Sequence, residues 1–186
     1  MENINLTGHF LIAMPAMTDP YFAKSVTYIC EHNDEGAMGV VINRPIDMTM
    51  NKLFEQVDIN LNDNPIANKT VYFGGPVQID RGFVLHQPAG DWKSTIAVFG
   101  NTALTTSIDV LEAIAQGRGP EKLLVTLGYA GWAAGQLEIE MGENAWLTVA
   151  ATDAIIFDTP NADKFNAAMS LLGVDLTQLS AAVGHA

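Results

Sequence analysis

Ser25-Val26-Thr27-Tyr28-Ile29-Cys30-Glu31-His32 and Ala37-Met38-Gly39-Val40-Val41-Ile42-Asn43 flank the polar segment Asn33-Asp34-Glu35-Gly36. Both flanks are rich in β-branched and aromatic residues. A short polar loop ending in glycine between two such runs predicts a β-hairpin. In the first arm Val26, Tyr28 and Cys30 alternate with Thr27 and Ile29, as on a strand with two distinct faces. The second arm is apolar on both faces, which places it centrally in a sheet. It ends in the rigid turn Asn43-Arg44-Pro45. A second apolar run ends similarly, in Phe73-Gly74-Gly75-Pro76-Val77, with Arg81 shortly after.

Outward from the hairpin, Phe10 to Met14 reads as a buried strand stopped by Pro15, and Met17 to Tyr21 as a loop. Thr49 to Val57 predicts a short helix with Leu53, Phe54 and Val57 on one face. Asp58 to Lys69 is loop. Thr70 to Phe73, Phe83 to His86 and Ser94 to Phe99 are short strands. Thr106-x-x-Asp109 resembles a capping box, with Asp in place of Glu or Gln. It opens a helix with Ile108, Leu111, Ile114 and Ala115 as its apolar stripe and Gly117 as its stop. Lys122 to Leu127 is a strand running into Gly128-Tyr129-Ala130-Gly131-Trp132, where the glycines predict a sharp turn. Gln136 to Glu140 forms a short helix. Trp146 to Ala150 and Ala154 to Phe157 are the last strands. Pro160 opens a helix with Phe165, Met169 and Leu172 inward and Gly173 at its end, and Asp175 caps a final short one. Strands outnumber helices and come as hairpin-like pairs, so the fold class is α+β. Neither repeat nor linker divides the 186 residues, which read as one domain, 1–186.

Nearly half the residues are apolar (48%) and 16% are charged, a balance that supports a large core. The formal charge is −12, and the nine Lys and Arg are scattered singly. Such a field repels nucleic acid, which makes direct nucleic-acid binding unfavourable. Cys30 is the single cysteine, so no intrachain disulfide forms; it reads as a buried structural thiol. With no export signal at the N-terminus and no apolar run long enough for a membrane helix, the expected location is the cytoplasm.

Nucleophile-elbow, phosphate-loop and dinucleotide signatures are absent. The cluster Glu31-His32-Asn33-Asp34-Glu35 contains metal-ligand types, but alternate residues of a hairpin diverge, so a solvated turn is expected. Glu138 and Glu140 read as acids on an exposed helix face. No catalytic residue, metal site or cofactor is assigned. The candidate ligand-binding set is Asn43, Arg44, Gly74, Gly75, Arg81 and His86. Two arginine forks beside fixed turns, with a histidine near one of them, could form an anion pocket; the alternative is that each pairs internally.

The ordered set Gly8-x-Phe10-Leu11-Ile12-Ala13-x-Pro15, Asp19-x-x-Phe22-x-x-Ser25-Val26, His32-x-x-x-Gly36-Ala37-x-Gly39, Asn43-Arg44-Pro45 and Gly74-Gly75-Pro76-Val77 continues with Arg81-Gly82-Phe83-Val84-Leu85-His86. It ends in Leu127-Gly128-Tyr129-Ala130-Gly131-Trp132-x-x-Gly135-Gln136-Leu137-Glu138 and Phe157-Asp158-Thr159-Pro160. Together these segments resemble the YqgE/AlgH family over almost the whole chain. The resemblance implies a mixed, largely antiparallel sheet that forks and curls into a partial barrel, flanked by a few helices, in a bacterial cytoplasmic protein. It brings no enzyme activity. Members are often labelled transcriptional regulators after a genetic link to alginate production. The expectation is therefore a non-enzymatic interaction or regulatory module, acting indirectly on gene expression through an unidentified protein partner or small ligand. The alternatives are an anionic-ligand-binding protein or enzyme with a site near Arg44, Arg81 and His86, and a direct DNA-binding regulator. A homo-oligomer is compatible with the apolar content.

Overall fold

In the computed structural model, which describes residues 4–173, the hairpin is the start of a large sheet. The strands are β1 (His9–Ala13), β2 (Val26–Asn33), β3 (Gly36–Val41), β4 (Pro45–Thr49), β5 (Thr70–Phe73), β6 (Val77–Gln87), β7 (Thr95–Phe99), β8 (Thr102–Thr105), β9 (Lys122–Ala133) and β10 (Trp146–Ala150). The helices are α1 (Met50–Gln56), α2 (Ile108–Ala115), α3 (Gln136–Gly142) and α4 (Asn161–Leu171), with a 3-10 turn at Pro65–Asn68 and a π-helical segment at Ala154–Asp158. The main path runs β10-β1-β2-β3-β9-β6-β8-β7, with β4 and β5 as a side branch. Among the described residues every pairing is antiparallel except β5 with β9. The fold is α+β, a sheet curled into a half-barrel.

The sheet forks on β9. Along one side lies β6. On the other, β5 pairs in parallel at Thr126 and Leu127, and β3 takes over antiparallel from Ala130 to Ala133. Gly74 closes the gap between these branches: its N–H donates to the Leu127 carbonyl and its carbonyl accepts from the Val41 N–H, both at 2.8 Å. Only glycine fits there. A Cβ on Gly74 would lie 2.3 Å from the Gly128 oxygen, and one on Gly75 (φ +156°) 2.1 Å from the Tyr129 carbonyl carbon. The residues around Gly128 therefore form no sharp turn. Gly128, at φ +76°, is a kink inside a twelve-residue strand that bends around the Gly74-Gly75 backbone.

One face of the sheet gathers Phe10, Ile12, Tyr28, Val40, Phe83, Leu85 and Leu124 against Ile155, Ile156, Ala168 and Met169 from the π-helical segment and α4. Burying each large apolar side chain contributes on the order of 1.5–3 kcal/mol. The other face carries two separate patches. α3 packs with Leu11, Ile29, Trp132 and Trp146, while α1 and α2 pack over Val71, Val84 and Val125.

Thr49 caps α1 by accepting the Lys52 N–H (3.3 Å), but Val57, its C-cap, is 36% exposed. α2 is capped at Ser107, one residue later than the capping-box reading. Val110 and Ile114 are its buried residues, Leu111 and Ala115 are partly buried, and Ile108 is 49% exposed. The residues before it, Thr102–Thr105, form strand β8, which hydropathy alone did not mark. The run Ala154 to Phe157 is π-helical rather than a strand; Ile155 and Ile156 are buried side by side, and Thr159 Oγ1 donates to the Ala154 carbonyl (2.9 Å). The short strand expected at Phe83 to His86 extends back to Val77 through exposed Gln78 to Arg81. The helix proposed at Asp175 lies outside the described residues.

Candidate functional site

Arg44 and Asn43 act on their own fold. The Arg44 guanidinium donates to the carbonyls of Pro20 (3.0 Å), Tyr21 (2.5 Å) and Ala23 (2.6 Å). Asn43 accepts the Val26 N–H (2.9 Å) and donates to the Lys24 carbonyl (3.0 Å). The Asn-Arg-Pro turn is thus a clasp on the loop between β1 and β2. Gly74 and Gly75 are the packing glycines of the fork.

His86 is fully buried on β6. Its Nδ1–H donates to the Pro88 carbonyl (2.9 Å), which leaves Nε2 to accept from the Thr105 hydroxyl (2.7 Å); Thr95 continues the chain at 2.7 Å from Thr105. Burial moves its pKa below the ordinary value, so the ring is neutral at physiological pH. Both ring nitrogens are occupied. Neither Arg44 nor His86 lines either of two cavities that Arg81 borders.

Arg81 is the member of the set that faces an opening. It borders a cavity of ≈ 680 Å³ between β3, β6, β7, β8 and β9. Its guanidinium holds Gln78 Oε1 (3.4 Å) and Thr106 Oγ1 (3.3 Å) loosely and lies 5.9 Å from the centre of the Phe83 ring. Lys93 joins it on the lining, Glu31 supplies one carboxylate, and Met38, Phe83, Leu104 and Tyr129 provide apolar wall continuous with the core. Among the described residues neither Arg81 nor Lys93 makes a salt bridge. The cavity therefore offers two cations above an aromatic surface.

Three polar groups outside the expected set are placed with care. His32 is buried, not in a solvated turn: its Nδ1 accepts the Leu6 N–H (3.0 Å), and its Nε2–H donates from β2 to Glu138 on α3. That hydrogen bond is the main cause holding the Glu138 carboxyl below the usual carboxylate range. Glu140 is likewise turned inward. Its Oε1 accepts from the indoles of Trp132 (3.2 Å) and Trp146 (3.0 Å), and its Oε2 from Gln136 (2.8 Å). The two glutamates fasten α3 to the sheet. A pairing 106 residues apart leaves no local signal.

The third is Lys164 on α4, 2% exposed. Its Nζ donates to the Ile42 carbonyl (2.8 Å) and sits 4.8 Å from the centre of the Tyr72 ring. Desolvation pushes its pKa down to about 8. Cys30, in contrast, is an inert thiol: it is buried, and burial raises its pKa far above the reactive range. Among the described residues no group of His, Cys, Asp and Glu is arranged to hold a metal, and no helix is long and apolar enough to cross a membrane.

The chain is similar to known proteins over most of its length. A family profile described as AlgH-like matches residues 10–177. A UPF0301 protein of Nitrosospira multiformis is 59% identical over 186 residues, covering all of both chains, and one of Chromobacterium violaceum is 57% identical over the same span. The solution structure of the AlgH protein from Pseudomonas aeruginosa superposes with a TM-score of 0.82 at 51% identity, covering 97% of this chain and 96% of that one. A crystal structure from Corynebacterium diphtheriae shares the fold at a TM-score of 0.69 and 23% identity, over 91% and 88% of the two chains.

Proposed function

The chain belongs to the AlgH-like family, and from the geometry of the cavity beside Arg81 we propose that it is a non-enzymatic binding module for an anionic group on a partner molecule. The observation that carries this reading is the pair Arg81 and Lys93 over Met38, Phe83 and Tyr129. An Arg fork recognises carboxylates in two-point fashion, and an aromatic surface beside it accepts the apolar part of the same ligand. The Arg44 and His86 parts of the broader anion-pocket reading drop out, because their donors are taken by backbone carbonyls and the other His86 nitrogen accepts from Thr105. In this reading the module acts in the cytoplasm and affects gene expression through its partner, without touching DNA.

The test is a titration of the labelled chain with an acidic peptide containing phenylalanine, followed by amide chemical shifts. The expected result is saturable shifts at Gln78, Arg81, Thr95 and Thr106, weakened at least tenfold in Arg81→Ala/Lys93→Ala. Absence of shifts at millimolar peptide, or equal binding by the double variant, overturns the proposal. Turnover of a substrate by purified protein would overturn its non-enzymatic part.

A further inference from the structure

We propose that the cavity beside Lys164 is a second, separate binding site, for a small organic carboxylate with a short apolar tail. The cavity measures ≈ 220 Å³ and lies between β5, β9, the π-helical segment and α4. It shares no lining residue with the cavity of Arg81 and Lys93, and the inference does not depend on that one.

Lys164 carries an amino group into the core, where an ammonium is costly unless an anion or several acceptors face it. The structure gives it one carbonyl, Ile42, and the face of Tyr72. An ammonium has three N–H donors. No salt bridge satisfies the remainder among the described residues. Lys69 borders the same cavity, as do Thr70, Tyr72 and Thr159, and no aspartate or glutamate does. In a chain with 21 acidic and 9 basic side chains, a lining with two lysines and no acid is the reverse of the overall balance. Such a lining is built for a negative ligand.

The rest of the wall narrows the ligand class. Leu124, Val125, Ile156 and Phe157 are among its apolar members, and Met50 closes one side. A fully hydrated inorganic anion gains nothing from this surface. A carboxylate head at Lys164 and Lys69 with a short hydrocarbon body along Ile156 and Phe157 uses both halves. Binding would supply the missing counter-charge and draw the Lys164 amine back toward its charged form.

The experiment is calorimetric and NMR titration of the full chain with hexanoate, and with inorganic phosphate as the comparison anion. Hexanoate is expected to bind saturably and to raise the melting temperature. Lys164→Met, which keeps most of the length of the side chain and removes its charge, is expected to fold and to bind hexanoate at least tenfold more weakly. Lys69→Ala, at an exposed position, is expected to weaken binding several-fold. The Lys164 Nζ resonance should titrate at higher pH with hexanoate bound. Absence of saturable hexanoate binding by the parent overturns the proposal, as does equal affinity in both variants. Phosphate binding more tightly than hexanoate would overturn the assignment of an apolar tail.

Discussion

The Arg44 guanidinium spreads over three carbonyls near the surface, while Lys164 takes its charge inward. The difference follows from chemistry: the planar fork has donors enough for a loop, whereas the compact ammonium is easily neutralised when desolvated. The Lys164 pKa falls from 10.5 to about 8 on folding. Between those values the unfolded chain binds a proton that the folded chain lacks, so stability rises with pH across the window. Below pH 8 the folded state bears the whole penalty. Lys164→Met should therefore be more stable than the parent by roughly 2 kcal/mol at pH 7, after allowing about 1 kcal/mol for the orphaned Ile42 carbonyl. The gap should close as pH climbs to 10. Urea denaturation of both proteins at the two pH values checks this, since titration of neighbouring Tyr72 largely cancels in the difference. A gap independent of pH would contradict it. In the sequence, Asn161-Ala162-Asp163-Lys164-Phe165 looks like an ordinary solvated first turn, so neither the burial nor the cavity was legible there.

At the scale of elements, local chemistry was readable and long-range pairing was not. The β2–β3 hairpin, α1, α3 and β10 follow from alternation, capping and breakers, and they stand where the sequence places them. Gly128 and Gly131 are turn residues by habit, so the sequence marks a strand only to Leu127 where β9 continues to Ala133. Its neighbours Gly74 and Gly75, about fifty positions earlier, are what make Gly128 necessary. The fork yields a direct prediction. Gly75→Ala puts a Cβ into the backbone of Tyr129 and Ala130 at 2.1–2.3 Å. It should cost at least about 3 kcal/mol, measured as a lowered urea midpoint. Gly82→Ala, where a Cβ meets nothing within 4 Å, should stay within about 0.5 kcal/mol of the parent. Equal effects at the two positions would remove the close-packing account of the Gly-Gly turn. The candidate site was legible in part. Arg81 was visible as a cation near a turn, but Lys93 joins it only because β6, β7 and β8 lie side by side.

Over the whole molecule, four of the nine cationic residues line two cavities: Arg81 and Lys93 in one, Lys69 and Lys164 in the other. No continuous basic stripe results, and a net charge of −12 surrounds both. A gel-shift titration with duplex DNA at low salt should show no complex at micromolar protein, because there are too few phosphate contacts to offset the repulsion. A shift that fades steeply with added salt would restore the DNA-binding alternative. The position of β9 in the chain has a consequence for synthesis. Its partners β3, β5 and β6 are all translated before it, and β1 must wait still longer for β10. While the polypeptide emerges from the ribosome, those earlier strands lack their shared neighbour and present open backbone edges. Chaperone occupancy on nascent chains should accordingly be highest just before residue 133 clears the exit tunnel, and fall once it has.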